Sequence, residues 1–318
     1  MTEFNVDNLN PATQQVLATV NKALPNPLHV AIADASYPLL RPSDARYGYD
    51  DNDDAYIQID NASNIEYTFS RELSHLFIDM GGYPIVHNEL DLEKDPSGKL
   101  VADVATGIDD AIHVAIITSW QRKHGLIDGD VRTAIIKGVE ADVTPGDDGK
   151  EAEDLVREGL TVLDGLIVAG IDNHGIAAWQ DQYPSAFAIA GQLYATILQN
   201  DLQDARGIRR TIIAMFKAFD DMFDLEGVSF GQLVVVPPVL SERQLRQPAG
   251  ALFNIELTPY KSAFDADVVI AFTGVTDGQV AFMLHEDQAT LEAGLIAELI
   301  EMPLGEIISR YQLPFSAR

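Results

Sequence analysis

The stretch from Ser63 to Gly82 constrains this chain more than any other. Ser63 and Glu66 have the spacing of a capping box, in which each side chain satisfies a backbone N–H at a helix start. Ile65, Phe69, Leu73, Leu76, Phe77 and Met80 recur at helical spacing and make a broad apolar stripe. Gly81 and Gly82 end it, because glycine takes the left-handed cap conformation without steric cost. The pattern predicts a long amphipathic helix that must bury one face. Off that face, Arg71, Glu72 and His75 fall within one turn and share a side of the helix. A carboxylate, an imidazole and a guanidinium are thus held together beside a core.

The segment Arg71-Glu72-Leu73-Ser74-His75, followed by Gly81-Gly82-Tyr83-Pro84, resembles the active-site helix of zincin-type metallopeptidases, whose pattern is His-Glu-x-x-His. The resemblance covers one helix and its flanks. It implies a zincin-like fold, with His75 as the second zinc ligand and Glu72 as the general base. Arg71 stands where the first ligand belongs, and a guanidinium has no lone pair to give a metal. The implied protein is a degenerate metallopeptidase, a pseudoenzyme lacking peptidase activity. Arg71 would sit in its cleft in the cation's place, paired with Glu72 or with an acid of a second helix. Such a protein would bind a peptide or protein partner, or serve a structural role.

Leu100 to His124 is predicted as that second helix, with Val101, Val104, Ile108, Ala111, Ile112, Ala115, Ile116 and Trp120 among its apolar positions. Asp109-Asp110-Ala111-Ile112-His113 places an acid one turn from a histidine. Either Asp109 or Asp110 orients His113 as a polar helix pair, or this helix completes a site with the first. In the second case His75, His113 and Asp109 or Asp110 would be metal ligands of a hydrolase with Glu72 as base, and these donors suit zinc or iron. Glu72/His75 and Asp110/His113 also have the carboxylate-x-x-histidine spacing of di-iron bundles. The cofactor expected is therefore none or zinc. The remaining alternative is that Glu72 and His75 are an ordinary polar helix face in an unrelated α+β protein.

Composition excludes several classes. There is no cysteine, hence no disulfide, thiolate metal site or thiol nucleophile. A formal net charge of −28 repels phosphate backbones, so no nucleic-acid partner is expected. The one basic cluster, Arg206, Arg209 and Arg210, sits amid acids and reads as a solvated helix face. The first residues lack the basic start and apolar run of a signal peptide, and no apolar run reaches membrane-spanning length. A cytoplasmic protein with no membrane contact is expected. Phosphate-binding, dinucleotide-binding and nucleophile-elbow motifs are absent. Nothing in the sequence determines the oligomeric state.

Along the chain, Asn10-Pro11 begins a helix and Leu28 to Ala33 reads as a strand. Residues 41–55 read as a solvated acidic loop, and Tyr56 to Ile59 as a strand. Helices are predicted over 151–169, 184–200 and 203–224, then strands over 232–236, 253–260, 268–272 and 280–284, with Asp277-Gly278 turning between the last two. Ser241 and Gln244 form a second capping box, and Pro303 divides terminal helices over 289–302 and 304–312. His87, Glu89, Asp91, Glu93 and His285 read as surface residues, and His174 falls in a turn. The fold expected is α+β: a zincin-like, mostly helical part with a short sheet over 1–225, then a mixed module of about four strands and terminal helices over 226–318.

Overall fold

A computed structural model of the chain describes residues 5–92, 98–223, 229–292 and 294–318. The elements in chain order are α1 (Pro11–Ala23), β1 (His29–Ile32), β2 (Ala45–Tyr49), β3 (Ala55–Ile59), α2 (Ile65–Met80), β4 (Leu90–Asp91), α3 (Gly98–Lys123), α4 (Gly129–Asp142), α5 (Ala152–Ala169), α6 (Trp179–Gln182) and α7 (Pro184–Leu198). They continue with α8 (Ala205–Met222), α9 (Phe230–Leu233), β5 (Val239–Leu240), α10 (Glu242–Leu245), β6 (Phe253–Leu257), β7 (Lys261–Ser262), β8 (Val268–Gly274), β9 (Val280–Glu286), α11 (Gln288–Glu292), α12 (Leu295–Glu301), α13 (Leu304–Tyr311) and β10 (Ser316–Ala317). The fold class is α+β. Among the described residues no helix is long and apolar enough to cross a membrane. The chain divides into one compact unit of Met1–Gly81 with His113–Tyr194 and another of Gly82–Ile112 with Ala195–Arg318. The expected boundary at 225–226 lies outside the described residues, as does Glu93.

In the first unit, Asn10 caps α1 by accepting the Ala12 N–H, and Pro11 occupies the first helical position, where its missing donor costs nothing. The sheet runs in the order β1-β3-β2, with β1 parallel and β2 antiparallel to the central β3. Ala55, Ile57 and Ile59 alternate onto one face and pack with Phe69, Leu73 and Leu76 of α2 and Leu17 and Val20 of α1. Each fully buried Ile, Leu or Phe among them contributes roughly 1.5–3 kcal/mol, which is what holds α2 on the sheet.

Two local expectations are corrected here, and one helix is added. Residues 41–55 are not one loop: Ala45–Tyr49 pairs with β3 as β2, and only the following acids form the turn. There Asp50 Oδ1 accepts the N–H groups of Asn52 and Asp54, so the acidic run is turn chemistry between two strands. The Ser63/Glu66 capping box does not form; Asn64, in the left-handed region at φ 53°, precedes the helix without a side-chain cap. Glu66 instead accepts the Asn10 N–H at 3.1 Å and the Thr13 hydroxyl at 2.8 Å, so it serves the first turn of α1. Helix α4 had no counterpart in the sequence reading, although Asp128 caps it by accepting the Val131 N–H at 2.9 Å.

Two long-range contacts fix the helices of this unit. Gln121 of α3, 1 % exposed, donates to Tyr67 O at 3.0 Å and Ser70 Oγ at 2.8 Å on α2. Gly138 of α4 lies so close to the loop that an added Cβ would stand 1.9 Å from Leu40 O.

In the second unit, β6, β8 and β9 form an antiparallel sheet, with Gly278 at φ +72° in the turn between β8 and β9, as the Asp277-Gly278 signal predicts. Phe253, Ile270, Phe272 and Phe282 pack with Leu299 of α12 and Ile307 of α13. The Ser241/Gln244 capping box forms at α10. Residues 232–236 depart from expectation: the segment begins as the helical turn α9 and supplies only an isolated bridge between Val235 and His87. A short apolar run has no period by which to tell a strand from a buried helical turn.

Candidate functional site

The apolar stripe of α2 lies against β3, which leaves Arg71, Glu72 and His75 along the helix flanks in the first unit. Arg71 Nη1 is 3.0 Å from Glu72 Oε1, with the two side chains 15 % and 4 % exposed. A buried carboxylate so close to a guanidinium makes a charge-assisted hydrogen bond in low dielectric, where pairing matters most.

His75 is flanked on two sides. The Tyr47 ring of β2 stacks on it, with centroids 5.5 Å apart and planes 13° from parallel. The His113 ring of α3 meets it edge-on at 5.7 Å. Both histidines are buried, and neither His75 Nδ1 nor His113 Nε2 has a hydrogen-bond partner among the described residues. Burial pushes the His75 imidazole well below the ordinary histidine pKa, and the positive field of Arg71 and the neighbouring His113 push it the same way. Burial alone brings His113 down to about 4. At neutral pH the site therefore contains two uncharged imidazoles beside one compensated ion pair.

The other expected ligands are placed differently. Asp109, in the second unit, accepts the Val86 N–H at 3.0 Å, and Asp110 is exposed. Among the described residues no group of three or more His, Asp and Glu side chains is arranged to hold a metal ion. A hydrolytic zinc takes three protein ligands and keeps a fourth position open. Two imidazoles beside a guanidinium do not supply that set.

Beside Arg71 a cavity of about 30 Å³ is lined by Tyr67, Thr68, Arg71 and Asp164 together with apolar residues of α4 and α5. It has room for a water or two. Burial pushes the Tyr67 phenol up to about 12, so it is a neutral donor at physiological pH. Strand β2, which carries Tyr47, lies at the edge of its sheet: among the described residues it pairs only with β3.

Tyr47 is the residue that sequence reasoning missed, because it lay in the stretch read as loop. The alternation of Ala45-Arg-Tyr-Gly-Tyr49 before a turn was the available signal. In the second unit the structure joins residues that the sequence left separate. His285 Nδ1 lies 2.8 Å from Ser262 Oγ, and its Nε2 lies 2.9 Å from Glu89 Oε2. Ser262 Oγ also accepts the Phe264 N–H at 2.9 Å, so this chain of bonds ties β4, β7 and β9 together. His174 opens a short helical turn capped by Asn173.

No family model, curated protein or solved structure matches this chain.

Proposed function

We propose that this chain is a zincin-like protein that has exchanged metal chemistry for an internal ion pair, lacks peptidase activity, and binds an extended peptide or protein segment. The observation that carries this is the Arg71–Glu72 pair beside neutral His75. A peptidase of this class needs a Lewis acid to acidify a water and a free carboxylate to take its proton. Here the carboxylate at the base's position is bound by the guanidinium at the ligand's position. The charge of the cation is kept and its coordination chemistry is lost. Binding has a physical basis in the open edge of β2, whose Tyr47 contacts His75 and whose backbone can accept an added strand.

The test is zinc affinity of the wild type and of Arg71→His, with casein hydrolysis as the activity readout. The wild type is expected to hold no stoichiometric zinc. Arg71→His places a third imidazole one turn before His75 and is expected to gain a 1:1 zinc site. No gain would show that the remaining geometry is not that of a zincin. Stoichiometric metal in the wild type, lost in both His75→Ala and His113→Ala, would replace the proposal with the shifted-ligand hydrolase.

A further inference from the structure

We propose that the second unit carries a binding pocket for a small phosphate monoester with an apolar body. Helix α8 places Arg206, Arg209, Arg210 and Lys217 on one stripe, because they are spaced three, four and seven residues apart. This stripe forms one wall of a cavity of about 520 Å³. The opposite walls come from the segments around Leu240, Phe253 and Val275, which are predominantly apolar. A cleft of this volume, apolar with a few convergent polar groups, has the dimensions of a small-molecule site.

The charge distribution is what gives the pocket its chemistry. The chain has 49 acidic and 21 basic side chains, yet four cations and a single carboxylate, Asp277, line this cavity. Asp277 is already engaged by Arg209, whose Nε also donates to Pro237 O at 3.1 Å. Arg209 is therefore the anchor that braces the wall. Arg206 and Arg210 are exposed and form no ion pair among the described residues. They are one turn apart, roughly 6 Å along the axis. Like charges at that spacing repel, and a dianionic phosphate between two guanidinium forks relieves the repulsion with paired hydrogen bonds. The apolar walls have no role for a bare inorganic ion. They require a ligand with a carbon body behind its phosphate.

Calorimetric titration of the full chain with 1-naphthyl phosphate tests this. The wild type is expected to bind one equivalent. The double variant Arg206→Gln/Arg210→Gln, whose exposed positions leave the fold intact, should bind at least tenfold more weakly, and Arg157→Gln, an exposed arginine in the first unit, should bind as the wild type does. Uncharged 1-naphthol and inorganic phosphate should each bind at least tenfold more weakly than the ester. Absence of saturable binding, unchanged affinity in the double variant, or inorganic phosphate binding as tightly as the ester would each overturn the proposal. A phosphoserine peptide binding much more tightly than the ester would overturn it in favour of a protein partner.

Discussion

Removing Arg71 should expose how much the central ion pair contributes. In Arg71→Met the cation 3.0 Å from Glu72 is lost, while the carboxylate stays 4 % exposed. Coulomb attraction at that distance in an effective dielectric of about 20 is roughly 5 kcal/mol before desolvation is subtracted. Breaking buried pairs by removing one partner costs about 3–5 kcal/mol. Because the Arg71 side chain is 15 % exposed, the lower end applies, and a loss of about 3 kcal/mol is expected. Replacing both partners, as Arg71→Met/Glu72→Met, removes the charge that needs compensation, so the double variant should recover to within about 1 kcal/mol of wild type. The coupling energy from the double-mutant cycle, with Glu72→Met as the other single variant, should then be about 2 kcal/mol or more. Urea unfolding at pH 7 reads this well: both tryptophans of the chain, Trp120 and Trp179, lie in the first unit with the pair, so their fluorescence reports the affected unit. A coupling below about 0.5 kcal/mol would refute the argument, because a pair worth so little behaves as a surface contact.

Four further outcomes are expected. In Arg71→Met the His75 pKa should rise, since Arg71's charge now disfavours the imidazolium; an unchanged or lowered value in an NMR titration of the ring protons would refute this. His113 titrates at about 4 when folded and near the ordinary histidine value when unfolded. The unfolded chain therefore takes up the proton first as pH falls. Relative to His113→Phe, the wild type should lose about 3 kcal/mol between pH ~6.5 and ~4 and no more below that, checked by denaturation across the range. Gly138→Ala drives a methyl into Leu40 O and should destabilise the first unit by about 1–3 kcal/mol, read from the tryptophan transition; a neutral result would mean that the loop yields freely. The net charge of −28 makes self-repulsion large, so raising NaCl from 10 mM to 0.3 M should raise the melting temperature in scanning calorimetry.

Helices α2, α3, α5, α7 and α8 were legible in the sequence because their apolar stripes recur over several turns, and that period belongs to one helix alone. The starts of α1 and α10 were equally legible, since Asn10-Pro11 and Ser241/Gln244 act within four residues. So was the Asp277-Gly278 turn, where Gly278 takes φ +72°. What depended on distant partners was not. Glu66 could serve its own helix or another, and only the packing of α1 beside it decided that it caps Asn10. Strand β2 was hidden by the acids that follow it, and residues 232–236, expected as a strand but starting as a helical turn, were an apolar run with no period of their own. Arg71 and Glu72 were adjacent on paper, but their pairing and the depressed basicity of His75 follow from burial, which belongs to the assembled unit. The same holds for the contact between His75 and His113, thirty-eight positions apart in the chain, and for the pocket beside α8. Periodicity, caps and turns could be read before folding because each is set by neighbours within a few residues, and net charge because it is a sum over composition. Tertiary structure decided which polar groups meet and how far they are from water, because distance and dielectric exist only once the chain has closed on itself.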